Sequence, residues 1–126
     1  MRVPQQAVYD FLKAYVAEPD KDMVWESEII LNKDKAIFRL VGKVNDKAVM
    51  TVYADKDGRI LGLTLAGTDI PKTVLGYLPA KVKEYVKNNK PNAKIYSISN
   101  GFDGLYYLLF DDNSRLNFDK EGNILN

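Results

Sequence analysis

The residues of this chain best suited to chemistry are carboxylates gathered in three short polar stretches: Asp55-Lys56-Asp57-Gly58, Asp111-Asp112-Asn113 and Asp119-Lys120-Glu121-Gly122. The first opens like a calcium loop. An EF-hand, however, needs a third oxygen ligand at its fifth position and a bidentate Glu at its twelfth. Here Gly58 follows at once, and Arg59 to Leu65 reads as a strand. Carboxylates that share acid and base work must face each other across a cleft, and nothing in the spacing of Asp111, Asp112, Asp119 and Glu121 places them so. Asp, Asn and Gly are also the residues of hairpin turns, and all three stretches are read that way. Ser27, Ser97, Ser99 and Ser114 have no histidine to activate them, and no Gly-x-Ser-x-Gly elbow occurs.

Composition narrows the field further. The 126 residues include neither histidine nor cysteine, which removes the commonest general base near neutral pH, thiol catalysis, disulfides and the usual transition-metal ligands. No catalytic residue, no metal site and no cofactor is expected. With 18 basic and 17 acidic residues the net charge is +1, whereas a nucleic-acid module needs an excess of Lys and Arg on one face. The start, Met1-Arg2-Val3-Pro4-Gln5-Gln6, has no long apolar run behind it, so neither a signal peptide nor a membrane span is visible.

The elements that must hold these residues come in two similar halves. Residues 4–16 read as a helix, with Pro4 at its start and Val8, Phe11, Leu12, Tyr15 and Val16 as an apolar stripe. Four strands follow: Met23 to Leu31, Lys35 to Val41, Lys47 to Ala54 and Arg59 to Leu65. In the first of these, alternation groups Trp25, Ser27, Ile29 and Leu31 against Val24, Glu26, Glu28 and Ile30. A linker, Gly67 to Gly76, carries apolar Ile70, Val74 and Leu75 and is expected to pack on the body. Pro79 then opens a second helix with Leu78, Val82, Tyr85 and Val86 on one face and lysines on the other; Pro91 stops it. Ile95 to Ile98, Leu105 to Phe110, Arg115 to Phe118 and a brief Asn123 to Leu125 complete the second set of strands.

The order Leu-Pro, lysine-rich helix, Pro91-Asn92-Ala93-Lys94-Ile95, Tyr-rich strand and Phe118-Asp119-Lys120-Glu121-Gly122-Asn123 resembles the PepSY-like family, small exported bacterial domains with a fold like that of β-lactamase inhibitor protein. The resemblance covers residues 78–125 well and the first half loosely. It implies a periplasmic or secreted protein whose export signal preceded this segment, and an inhibitor-like mode of action. Its motifs are structural punctuation and carry no catalytic residue.

Asp55-Lys56-Asp57-Gly58-Arg59-Ile60-Leu61 set beside Asp119-Lys120-Glu121-Gly122-Asn123-Ile124-Leu125 argues for an internal repeat. The expected fold is therefore α+β, a single domain over residues 1–126. Two αββββ pseudo-repeats, 1–66 and 70–126, form one twisted antiparallel sheet with both helices on one face. The rival is a cystatin-like or nuclear-transport-factor-like fold, in which one helix is wrapped by a curved sheet.

Through the two Asp turns, Leu116 and Phe118 fall in register with Val52 and Ala54 as core, which leaves Thr51, Tyr53, Arg115 and Asn117 on the opposite face. Period two separates Tyr106, Leu108 and Phe110 from Leu105, Tyr107 and Leu109, and the resemblance implies that the first set is inward and the second outward. Tyr and Arg are enriched at binding hot spots, so Tyr53, Tyr107 and Arg115, with Trp25 and Arg39, are the candidate binding residues. An ordinary amphipathic sheet would show the same alternation, and the linker or a second copy would cover the outward leucines equally well. The leading expectation is a non-catalytic binding module for a protein or peptide. The alternatives are a small-ligand carrier or enzyme with a carboxylate-based pocket, and a self-associating envelope component. The lysines of residues 81–90 read as a solvated helix face or, alternatively, a contact for an anionic partner.

Overall fold

The structure is a computed structural model that describes residues 3–15, 26–32, 35–45, 47–68, 70–101 and 104–125. Its frame is a seven-stranded antiparallel meander in sequence order. The strands are β1 (Glu26–Asn32), β2 (Lys35–Asn45), β3 (Ala48–Asp55), β4 (Ile60–Gly67), β5 (Ile95–Asn100), β6 (Tyr106–Phe110) and β7 (Arg115–Asn117). Helix α1 (Val3–Tyr15) precedes β1; a 3₁₀ segment (Lys72–Tyr77) and helix α2 (Ala80–Asn89) lie between β4 and β5.

Period two decides which face each strand residue serves. In β3, Ala48, Met50, Val52 and Ala54 are buried while Val49, Thr51, Tyr53 and Asp55 are not. Directly paired residues share a face, so the buried set propagates through the register: Val52 to Leu40 and Leu63, Met50 to Leu65, Leu65 to Ile98, Ile98 to Leu108, Leu108 to Leu116. These residues join Val8, Phe11 and Leu12 of α1 and Val82 and Val86 of α2 in one core cluster. Both helices therefore pack on the same face. Each large side chain fully withdrawn from water there contributes about 1.5–3 kcal/mol.

Each helix follows from its stripe. In α1, Val8, Phe11 and Leu12 are buried while Gln6, Asp10 and Lys13 face water, the separation that a 3.6-residue period produces. Phe11 and Tyr15 form an aromatic trio with Tyr77 at the end of the 3₁₀ segment, with centroid distances of 4.9 to 5.7 Å. In α2, Val82 and Val86 are buried, Tyr85 is half-buried, and Lys81, Lys83 and Lys87 are exposed. The linker packs on the body through Ile70, Val74 and Leu75. Among the described residues there are two short helices and no single long one crossing the sheet, which sets this arrangement apart from the cystatin-like rival.

The two Asp turns are built alike. Asp55 Oδ1 accepts from the backbone N–H of Asp57 and Arg59, and Asp119 Oδ1 accepts from those of Glu121 and Asn123. The amides of Gly58 and Gly122 donate to the carbonyls of Asp55 and Asp119, both glycines with φ near +90°. A Cβ at Gly122 would also lie 2.6 Å from Pro79 Cβ, so this turn is seated against the start of α2. Asp111-Asp112-Asn113 is a turn as well, with Asp112 Oδ1 accepting from the Ser114 amide.

Beyond shifts of one or two residues at strand ends, three features differ from the sequence reading. Strand β2 runs on to Asn45, because Gly42, read as punctuation, pairs with Met50 inside the ladder. The linker contains a 3₁₀ segment too short to show a period. The segment Asn123–Leu125 is not a strand of the sheet; it returns through one bridge, Phe118 to Ile124, and a bond from the Leu125 amide to the Asn117 carbonyl.

Candidate functional site

The face of the sheet turned away from the helices is the candidate site. Its central row follows from the register: Val41, Thr51, Thr64, Ser99, Tyr107 and Asn117, from β2 to β7. A flanking row runs Val49, Ala66, Ser97, Leu109 and Arg115. The middle of the face is small and mostly polar, and tyrosines stand on either side of it. Tyr53 on β3 is opposite Gly62, and Arg39 on β2 is opposite Tyr53. On the other side the Arg115 guanidinium stacks over the Tyr107 ring at 4.1 Å, and Arg115 Nε donates to Asn117 Oδ1 at 2.7 Å. Such a stack is worth about 0.5–1 kcal/mol at an exposed position, and it holds a long cationic side chain in one geometry.

Tyr53, Tyr107, Arg115 and Arg39 thus lie on the outer face, and the structure joins Tyr107 to Arg115 directly. Trp25 falls outside the described residues. Tyr106, Leu108 and Phe110 point inward, the last two fully buried. The outer face is not uniformly open. Ile37 and Ser99 are buried there, with Ser99 Oγ donating to the Leu105 carbonyl at 3.1 Å. Leu105 is 50 % exposed, while Leu109 is half-buried.

A cavity of about 450 Å³ lies between the sheet end and the linker, the place the small-ligand alternative gives its pocket, but sequence reasoning named none of its lining residues, Leu61, Tyr77, Leu78, Asn100, Tyr106 and Lys120 among them. Burial pushes the Tyr77 phenol up, offset in part by a hydrogen bond from the Asn100 side chain. Among the described residues the lining holds no carboxylate. The signal available in sequence was weak: Tyr77 sits in a linker, and its partners arrive from residues 100, 106 and 120. The resolved carboxyl shifts are both downward. Asp112 is held at about 2 by hydrogen bonds from Ser114 and then by Lys90, and Asp119 is lowered chiefly by Asn123. These are turn carboxylates stabilised in the charged form, the opposite of a proton-donating acid. Among the described residues, no three Asp or Glu side chains converge on a point that could hold a metal ion.

No family model matches the chain, and no curated protein matches it by sequence. Solved structures do. One is a protein from Bacteroides thetaiotaomicron assigned to the periplasm and to calcium regulation, 19 % identical, with a TM-score of 0.59 over 100 % of this chain and 92 % of that one. Another, from Bacteroides vulgatus, is assigned to the periplasm with unknown function, 14 % identical, with a TM-score of 0.61 over 98 % and 89 %. Among the described residues no helix is long and apolar enough to cross a membrane. At these identities the likeness is one of fold: an α+β chain with an open antiparallel sheet, shared along nearly its whole length with proteins assigned to the bacterial periplasm.

Proposed function

We propose that this chain is an exported, non-catalytic binding module of the PepSY-like kind that engages a protein or peptide through the open face of its sheet. The observation that carries the reading is the Tyr107–Arg115 stack on the face away from the helices, with Tyr53 and Arg39 paired across β3 and β2 on the same face. Aromatic and Arg anchors dominate interface energies because they bury a large area in well-packed, desolvated pockets, and the stack on Tyr107 holds Arg115 in one of its many rotamers. Here they flank a floor of small residues that leaves a partner's side chains room.

The matching hydrogen bonds of the two Asp turns support a duplicated unit, αββββ in the first half and αβββ closed by one bridge in the second, and, with it, the β-lactamase-inhibitor-protein-like arrangement. Periplasmic location is supported by the fold likeness. A pull-down from an envelope extract tests the proposal. Wild-type chain should retain a partner that a Tyr53→Ala, Tyr107→Ala variant, still folded at the assay temperature, loses; equal capture by both rejects it.

The cavity beside Tyr77 favours one second reading, a small-ligand carrier. A Tyr77→Phe variant that loses ligand while the sheet-face variant keeps it would establish that reading instead.

A further inference from the structure

Between the 3₁₀ segment and α2 lies a slot of about 270 Å³ lined by Lys72, Leu75, Lys83, Val86, Lys87, Lys90 and Pro91. We propose that it binds a small amphipathic anion, a carboxylate carrying a medium-length acyl chain. Its floor is apolar: Leu75, Val86 and Pro91 form it, and the methylene stems of the lysines extend it as walls. Among the described residues every charged group in the lining is cationic.

The four lysines divide by role. Lys72 Nζ donates to the Pro91 carbonyl at 2.6 Å, tying the linker across to the residue that ends the helix. Lys90 Nζ donates to Ser114 Oγ at 2.9 Å, pairs with Asp112 at 3.3 Å and sits 5.6 Å from the Phe110 ring centroid. These two fix the ends of the slot. Lys83 and Lys87 stand one turn apart on α2, both exposed, and like charges at that spacing repel by a few tenths of a kcal/mol. The carboxyl end of the helix supplies roughly half a negative charge, which offsets only part of the excess. A carboxylate between Lys83 and Lys87 relieves that repulsion, and its chain covers the floor.

Charge and helix geometry select the occupant. The slot is a half-open groove, so its volume sets only the order of size: at about 30 Å³ per heavy atom, the share of one water in the liquid, it holds about nine heavy atoms, the tail of decanoate with the carboxylate left at the lysines. A membrane surface fits less well. An interfacial helix needs an exposed apolar face, and Val82 and Val86, the apolar face of α2, are buried in the core.

Titration calorimetry with decanoate tests the assignment. The expected result is one decanoate per chain, with decanol and inorganic phosphate each at least tenfold weaker. A Lys83→Gln, Lys87→Gln variant should bind decanoate at least tenfold more weakly while melting at the wild-type temperature; both positions are exposed, so the fold should survive. Four outcomes overturn the proposal: no saturable heat with decanoate; unchanged affinity in the double variant; phosphate binding as tightly as decanoate; or sedimentation with phosphatidylglycerol vesicles that decanoate does not compete away, which would make the membrane surface the occupant.

Discussion

Tyr107 and Leu108 are neighbours in β6, yet they belong to different environments. Leu108 is wholly buried and pairs with Ile98 and Leu116. Tyr107 is half-buried, pairs with Ser99 and Asn117, and carries Arg115 on its ring. The same contrast holds along β3, where Val52 and Tyr53 adjoin. One face of the sheet spends its side chains on the core; the other keeps residue types suited to a partner. A one-residue slip in register would exchange these roles, so the turns that fix the register, Asp55–Arg59 between β3 and β4 and Asp111–Ser114 between β6 and β7, are what hold the candidate site in place.

The contrast can be broken most forcefully from inside. Leu108→Ala should destabilise by about 2–5 kcal/mol, lost transfer energy plus a cavity, measured by denaturant unfolding. Tyr107→Ala should cost only about 1 kcal/mol, since it gives up an exposed stack and partial burial. Equal costs at the two positions would show that the outer face is core. Val86→Ala, at the contact between α2 and the sheet, should cost about 1–3 kcal/mol. Gly122→Ala should lower the melting temperature more than Gly104→Ala. Both positions have positive φ, but an added Cβ meets Pro79 at 2.6 Å in the first case and nothing within 4 Å in the second.

The smallest effect concerns pH. The Asp112 carboxyl is held at about 2 against its ordinary 3.8. Because the folded value is the lower one, its contribution is complete above about pH 4 and is lost as pH falls toward 2. A carboxyl titration by NMR should show a midpoint near 2, and Ser114→Ala should raise it, since the Ser114 hydroxyl is the largest cause of the depression.

Much of this was legible because period two and the turn residues act locally. The inward placement of Val52, Ala54, Leu116 and Phe118, and the outward placement of Thr51, Tyr53, Arg115 and Asn117, need only alternation plus two Asp-Gly turns. What escaped sequence reasoning depends on tertiary contact. Whether Gly42 ends a strand is decided by its partner Met50. Ile124 is reduced to one bridge because no strand lies beyond it among the described residues. The stack of Arg115 on Tyr107 and the cavity beside Tyr77 join residues from separate elements. Spacing along the chain carries no trace of either.

The central claim, that the open sheet face meets the partner, is tested most directly by site-specific photo-crosslinking. A photoreactive amino acid replaces Thr64, exposed at the middle of that face, or Glu84, exposed on the helix side. In an envelope extract the Thr64 position should yield a crosslinked product and the Glu84 position none. A product from Glu84 alone, or from neither position, would contradict the account.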